Sequence, residues 1–122
     1  MPLSNNAQAL LMVLIGYLDK ARPGHPQTYP TYRQVAADLG FHNITMPIGR
    51  FLQPRGLDEL AEWTKANNIP AITGLIVLQD ERVPGLGYFE LYGKANSPDM
   101  YDWWAEEIKK SKTHDWDVHL GR

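Results

Sequence analysis

The chain of 122 residues contains no cysteine, and this absence removes two classes of protein from consideration. Without thiols there is neither a disulfide framework nor a thiolate metal site. Long apolar runs are also missing, because the run LLMVLIGYL at 10–18 is far shorter than the about 20 residues that a membrane span needs. The polar residues before this run do not form a signal peptide. We therefore expect a cytoplasmic protein that contacts no membrane.

The composition is that of one globular domain, predicted to span 1–122. Hydrophobic residues make up 43% of the chain and charged residues 21%, which are ordinary values for a globular protein. The net charge of -2 is divided unevenly. Residues 1–56 carry five basic and two acidic residues, whereas residues 57–122 carry seven basic and twelve acidic residues. A basic half and an acidic half can form two different faces, so the pI near 6.0 does not exclude binding to nucleic acid.

The first predicted helix begins near Asn5 or Asn6, which are good N-cap residues, and runs to about Ala21. Its apolar stripe is widened nearly all round by the residues of 10–18. A helix that is apolar on most sides lies at the centre of its fold or packs against another subunit. The first alternative predicts a central helix, and the second predicts a homodimer through this helix.

The stretch TYRQVAADLGFHN at 31–43 is typical of the first half of a helix-turn-helix. Thr31 and Gln34 have the spacing of a capping box, which ties together both ends of the first turn of a helix. The glycine after the helix suits a left-handed C-cap, and FHN follows as a turn. We predict a third helix that is capped by Asn43 or Thr45 and ends close to residue 53.

The second half of the chain is predicted to mix helices and strands. A fourth helix is expected over 57–67. The runs IPAITGLIVLQ and YFELY (88–92) are predicted as two strands of a β-hairpin. A C-terminal helix starts after Ser97, with Trp103 or Trp104 in the core and the other partly exposed. The fold class is therefore predicted as α+β, with a helix-turn-helix part followed by a helix, a hairpin and a C-terminal helix.

Motifs for catalysis or for a metal are weak. HDWDVH at 114–119 combines imidazole and carboxylate groups, but its spacing matches no known ligand motif. PGLG at 84–87 is interpreted as a turn rather than a phosphate-binding loop. The chain also has no G-x-S-x-G motif for a nucleophile. We therefore predict no enzyme activity, no cofactor and no bound metal.

The order of elements resembles the winged helix-turn-helix family. The likeness covers residues 6–92 in element order. Within the single predicted domain, the helix-turn-helix part spans 6–56, and the helix, hairpin and C-terminal helix span 57–122. In that family the helix after the turn enters the major groove of DNA, and the tip of the hairpin contacts the backbone or the minor groove. The resemblance thus implies a reading helix at 44–53 and a wing at 80–87. The implied DNA contacts are Arg33, His42, Arg50, Gln53, Arg55 and, from the wing, Arg82.

A second likeness suggests a different function. The spacing LGFHN…IPAITGLIV…VPGLGYF…W is similar to that of small uncharacterised proteins of bacteria and their mobile elements. The alternative to DNA binding is therefore a protein-binding module, such as an inhibitor from a phage or mobile element that acts on a host defence complex, as anti-CRISPR proteins do. In that alternative the acidic half and exposed aromatic side chains contact the partner.

Overall fold

A computed structural model of the protein describes residues 3–120, and every element in that range is helical. The α-helices are α1 (Asn5–Leu18), α2 (Tyr32–Asp38), α3 (Ile48–Leu52), α4 (Leu57–Ala66), α5 (Leu86–Leu91) and α6 (Met100–Thr113). Short 3-10 turns lie at Pro26–Thr28, Gln53–Arg55, Ile72–Leu75 and Trp116–His119. No helix in the described range is long and apolar enough to cross a membrane.

Helix α1 lies at the centre of the fold. Ser4 caps it, because the Ser4 hydroxyl accepts the backbone N–H of Ala7 at 3.3 Å. α2, α4 and the turn Ile72–Leu75 all pack against it. The prediction of a central helix is confirmed, although the predicted caps and the predicted end at Ala21 are wrong. Met12 remains 53% exposed, and a homodimer through this helix stays a prediction. The buried side chains of the helix are Ala7, Leu10, Leu11, Leu14 and Leu18.

The capping box of α2 is confirmed. The backbone N–H of Gln34 donates to the Thr31 hydroxyl at 3.1 Å, and the Thr31 N–H donates to the Gln34 side chain at 2.8 Å. Helix α3 packs against α2, as in a helix-turn-helix, but it is only five residues long and begins at Ile48. The prediction of Asn43 or Thr45 as the cap is wrong, because Pro47 stands at the N-cap position. Asn43 has a φ of 57°, a left-handed conformation that does not lead into a helix.

The first predicted strand is not a strand. Its residues form the 3-10 turn Ile72–Leu75 and then a short extended piece, in which Val77 makes a single parallel bridge with Thr31. The segment from Ala71 to Val77 is buried on all sides. Gly74 lies against Tyr88, and a Cβ at this position would be 2.4 Å from the Tyr88 hydroxyl oxygen. A continuous apolar run is consistent with any fully buried backbone, so periodicity could not distinguish this turn from a strand.

The second predicted strand is also wrong, because YFELY lies largely within helix α5. Tyr88 and Phe89 are adjacent and both buried, which a half-exposed strand does not allow. The loop before α5 is a tight turn, with the Leu78 N–H donating to the Val83 carbonyl at 2.8 Å. The predicted α+β class, with its hairpin, is therefore incorrect. Within residues 3–120 the only β pairing is two isolated bridges, Arg22–His25 and Thr31–Val77.

Helix α6 packs against the turn Ile72–Leu75. Trp104 is buried, and its indole N–H donates to the Gly74 carbonyl at 2.8 Å, whereas Trp103 is only half-buried. The prediction of one core tryptophan and one partly exposed tryptophan is confirmed. Near the end of α6, the ammonium of Lys112 donates to the carbonyls of Leu18 and Ala21 at 2.5 and 2.6 Å. These bonds satisfy carbonyl groups at the C-terminal end of α1.

Candidate functional site

Two of the arginines predicted to bind DNA have partners within the protein. The guanidinium carbon of Arg55 lies 3.8 Å from the centre of the Phe51 ring, and Nη1 donates to the Phe51 carbonyl at 2.7 Å. Arg82 has a φ of 56°, and its Nη1 lies 3.4 Å from the Tyr29 carbonyl oxygen. A cation placed over a ring and bonded to a carbonyl is held in one position. These two arginines therefore support local structure, and the predicted wing is a tight turn rather than a hairpin tip.

The other four predicted contacts are exposed. Arg33 lies on α2, His42 in the α2–α3 connection, Arg50 on α3 and Gln53 in the 3-10 turn after it. Among the described residues, the side chains of Arg33, His42 and Arg50 make no hydrogen bond and no ion pair. Because α2 and α3 pack together, Arg33 and Arg50 lie on neighbouring helices. Their guanidinium groups are available to an external anion.

A cleft that no sequence motif predicted lies among α3, α4, α5 and the segment after the turn Ile72–Leu75. It encloses about 280 Å³. Its inner wall is formed by the buried residues Tyr32, Thr73 and Tyr88, and its outer rim by exposed residues that include Asp58 and Glu62. The remaining lining residues are Gly49, Gln53, Leu57, Ala61, Leu78, Gly85, Gly87 and Leu91.

Neutral hydroxyl groups line the inner wall of the cleft. The Tyr32 hydroxyl accepts the backbone N–H of Gly85 at 2.9 Å, and the Tyr88 hydroxyl donates to the Ala71 carbonyl at 3.1 Å. Burial raises the pKa of Tyr32, although the bond from Gly85 acts in the opposite direction. Burial, followed by the charge of Glu107, raises the pKa of Tyr88 well above its usual value. Both phenols therefore stay protonated at neutral pH.

Thr73 is the unusual residue of this wall. It is 3% exposed, and its Oγ1 is the one buried side-chain polar atom in residues 3–120 that has no hydrogen-bond partner. A buried hydroxyl without a partner costs about 1–3 kcal/mol in desolvation. Most buried polar groups in native proteins are satisfied, so this hydroxyl is an exception among the residues that line the cleft.

The rim of the cleft is acidic. Asp58 and Glu62 are four residues apart on α4 and therefore lie on the same face of the helix. Partial burial, and then the neighbouring charge of Glu62, raise the pKa of Asp58. In the part of the chain that the structure covers, neither carboxylate has a hydrogen bond or an ion pair. Two like charges one helical turn apart repel each other, and a cation between them would relieve that repulsion.

A second depression of about 320 Å³ has its charges neutralised internally. Lys110 forms an ion pair with Glu107 at 3.3 Å, and Glu107 also accepts the N–H of Ala71 at 3.1 Å. The ammonium of Lys65 donates to the Leu91 carbonyl at 2.7 Å. This depression has a larger volume than the cleft, but it offers a ligand fewer polar groups that lack a partner within the protein. The cleft is therefore the better candidate site.

The two histidines of the C-terminal HDWDVH segment form a hydrogen bond with each other, and their rings stack. Nε2 of His114 lies 2.8 Å from Nε2 of His119, and the two rings stack at 5.0 Å with an angle of 7°. Trp63 contacts the ring of His119, and Trp116 contacts the ring of His114. Burial and the charge of His119 lower the pKa of His114, against a smaller effect of Asp115. Among residues 3–120 no group of three or more His, Asp or Glu side chains is arranged to hold a metal.

Comparisons of this chain with protein-family models, with curated proteins and with solved structures find no match. Its function therefore has to be inferred from its own side chains. The sequence contained one signal for the cleft, which was the pair Asp58 and Glu62 on one face of a predicted helix. It contained no signal for the unpaired hydroxyl of Thr73, because that feature depends on which distant residues surround the side chain.

Proposed function

We propose that this chain is a non-enzymatic protein-binding module whose cleft receives an exposed segment of a partner protein. The observation that carries the proposal is the cleft itself, in which an apolar lining is combined with two carboxylates, Asp58 and Glu62, that have no partner among the described residues. Binding sites are typically concave and largely apolar, with a few polar groups that fix orientation. An inhibitor of a host defence complex is one form that such a module takes.

A protein segment suits the surroundings of the cleft better than a free small molecule does. Leu86 lies between two lining residues, Gly85 and Gly87, and is 55% exposed. A ligand confined to about 280 Å³ does not contact Leu86, which is not a lining residue, whereas a chain that continues out of the cleft past α5 is long enough to reach it. The net charge of -5 over residues 57–122 attracts a basic partner and increases the rate of encounter.

The test is a titration of the isotope-labelled full chain with pools of short peptides, in which binding is measured by changes in the amide chemical shifts. We expect the amides of Ala61, Glu62 and Gly87 to shift, because these residues line the cleft. Replacing Gly87 by Leu places a side chain at the cleft and should abolish the shifts. A Cβ at Gly87 meets no atom within 4 Å, so the first side-chain atom has room without a shift of the backbone.

Gly16→Leu is the matched control for that experiment. Gly16 also lies within a helix, and a Cβ there meets no atom within 4 Å, but it does not line the cleft. This variant should bind peptides as the unchanged protein does. If peptide-induced shifts occur away from the cleft, or persist in Gly87→Leu, the proposed role of the cleft is wrong.

DNA binding is a second candidate function, supported by one observation. Arg33 and Arg50 are exposed on two packed helices and have no partner among residues 3–120. If both contact phosphates, affinity for duplex DNA should fall with salt at a logarithmic slope of about -0.9 per contact. Replacing both by Ala should flatten that slope by about 2, and Arg22→Ala, which removes another exposed arginine, should not. Absence of binding at low salt excludes this function.

A further inference from the structure

We infer that the group captured by the cleft is the N-terminal residue of the partner, with its α-ammonium between Asp58 and Glu62 and its side chain inside the cleft. The occupant that fits best has an apolar side chain with a hydrogen-bonding tip, as tyrosine has. This inference rests on the proposed protein-binding function and identifies the chemistry that the site recognises.

The charged groups of the cleft lie only at its rim, which determines where a cation of the ligand can bind. Both carboxylates are on the exposed rim, whereas the buried inner wall holds only neutral hydroxyl groups. A ligand cation must therefore stay at the rim, where Asp58 and Glu62 are. An ammonium bonded to a carboxylate forms a short hydrogen bond that is about twice as strong as a neutral one.

The interior of the cleft determines which side chain of the ligand fits. Leu57, Leu78 and Leu91 provide apolar surface, which favours a hydrophobic side chain. Beyond them, the Oγ1 of Thr73 lacks a partner. The Tyr32 hydroxyl accepts one bond from Gly85, and its own hydrogen has no acceptor among residues 3–120. A side chain with a polar tip therefore gains a bond at the inner wall that a purely apolar side chain does not.

An internal lysine or arginine does not satisfy the same arrangement. Its side chain enters from outside with the charge at the leading end, which would bring a cation to a wall without carboxylates. Burying a charge without a paired group is strongly unfavourable. Only the first residue of a chain carries its cation at the backbone, so that the charge remains at the rim while the side chain is buried.

The experiment measures binding of four amidated tetrapeptides to the full chain by chemical-shift titration. One sequence begins with tyrosine and the other with phenylalanine, and each is made with a free and with an acetylated N-terminus. We expect acetylation to weaken binding by more than about ten-fold, because it removes a charged hydrogen bond. Asp58→Asn with Glu62→Gln should remove that difference between free and acetylated peptides. Glu106→Gln, an exposed carboxylate on α6, should preserve it.

A variant of Thr73 tests the inner wall separately. The tyrosine peptide should bind about five-fold more tightly than the phenylalanine peptide, which corresponds to one neutral hydrogen bond. Thr73→Val keeps the shape of the side chain and removes its hydroxyl, so it should reduce this preference without unfolding the protein. A preference that is unchanged in Thr73→Val overturns the role assigned to this hydroxyl.

The outcomes distinguish this inference from the proposed function. If acetylated peptides bind as tightly as free ones and Gly87→Leu abolishes both, the protein-binding function stands and N-terminal recognition is wrong. If free tyramine binds as tightly as the tyrosine peptide, the site takes a small amine and not a protein terminus. An acetylated peptide with an internal lysine that binds most tightly also overturns the inference. If no peptide binds at all, both proposals fail.

Discussion

Two regions of this protein are held together in different ways. Around α1 the core is aliphatic, and residues such as Leu10, Leu14 and Leu60 are completely buried. Around the turn Ile72–Leu75 the packing comes from aromatic rings of α5 and α6, including Tyr88 and Trp104. The aliphatic region surrounds a helix whose backbone bonds are internal. The aromatic region surrounds a short 3-10 turn, whose local backbone bonds include those from the Gly74 N–H to the Ala71 carbonyl at 3.2 Å and from the Ile76 N–H to the Thr73 carbonyl at 3.3 Å.

The difference shows how a non-helical segment can be buried without a sheet. Tyr88 donates to the Ala71 carbonyl, and Trp104 donates to the Gly74 carbonyl. Buried carbonyls need partners, and in a sheet a neighbouring strand supplies them. Here aromatic side chains with polar tips replace that strand. The aliphatic region should therefore respond to lost volume alone, and the aromatic region to lost volume and to lost polar tips.

Trp104→Ala should have the largest effect on stability. Cutting a buried tryptophan to alanine costs about 3–5 kcal/mol through the cavity that it leaves. The Gly74 carbonyl also loses its donor, which adds about 1–3 kcal/mol. Urea denaturation of this variant measures the sum, with Trp103→Ala as the half-buried control that should lose less. Equal losses in the two variants contradict the special role of Trp104.

Leu14→Ala should come second. Leu14 is 0% exposed and forms no polar contact through its side chain, so only the cavity contributes, at about 2–5 kcal/mol. Met12→Ala, at an exposed position on the same helix, should change the free energy of unfolding very little. A small loss for Leu14→Ala in the same denaturation experiment would mean that α1 is not the centre of the core.

Tyr88→Phe isolates the polar tip, because the ring is kept and only the hydroxyl is removed. The Ala71 carbonyl then keeps only the Gly74 N–H, at 3.2 Å, as a donor, and we expect a loss of about 0.5–1.5 kcal/mol in the free energy of unfolding, the net value of one hydrogen bond. Tyr101→Phe is the matched control, since Tyr101 is 56% exposed. If Tyr88→Phe is as stable as the unchanged protein, the two regions are held together in the same way.

The smallest effect should be a pH dependence at the edge of the aromatic region. The pKa of His114 is lowered in the folded state by burial and by His119, so the unfolded state binds more protons at mildly acidic pH. The contribution of His114 to the free energy of unfolding is therefore fully present above the ordinary histidine pKa of about 6.5. It is lost as the pH falls below that value towards the lowered pKa of the folded state. His114→Gln should flatten this part of the pH profile of the melting temperature. His25→Gln, at an exposed loop position, should leave it unchanged.

The sequence predicted those parts of the fold that depend on neighbouring residues. The capping box of Thr31 and Gln34 spans three positions, and the central character of α1 can be read from one apolar run. The segment from Ala71 to Val77 was predicted wrongly, because its hydrogen-bond partners come from far along the chain, Trp104 being 30 residues from Gly74. An apolar run indicates burial, but it does not indicate what covers the backbone.

The candidate site was predicted less well than the fold. Arginines can be counted in a sequence, yet Arg55 and Arg82 are bonded to carbonyl groups of the protein itself. The cleft is formed by residues between Tyr32 and Leu91 that only the folded chain brings together. Its acidic rim was visible as two carboxylates four positions apart. Its apolar interior was not, since each of those leucines also fits an ordinary core.

The bonds from Lys112 to the carbonyls of Leu18 and Ala21 have a consequence for synthesis of the chain. The ribosome makes α1 first and Lys112 about 90 residues later. Until then the Leu18 carbonyl has only the local N–H of Ala21 as a donor, at 3.2 Å, and the helix lacks its closing contact. Contacts between residues so far apart slow folding, since the intervening chain must be ordered before they form. Truncation before residue 112 therefore leaves α1 without its closing contact.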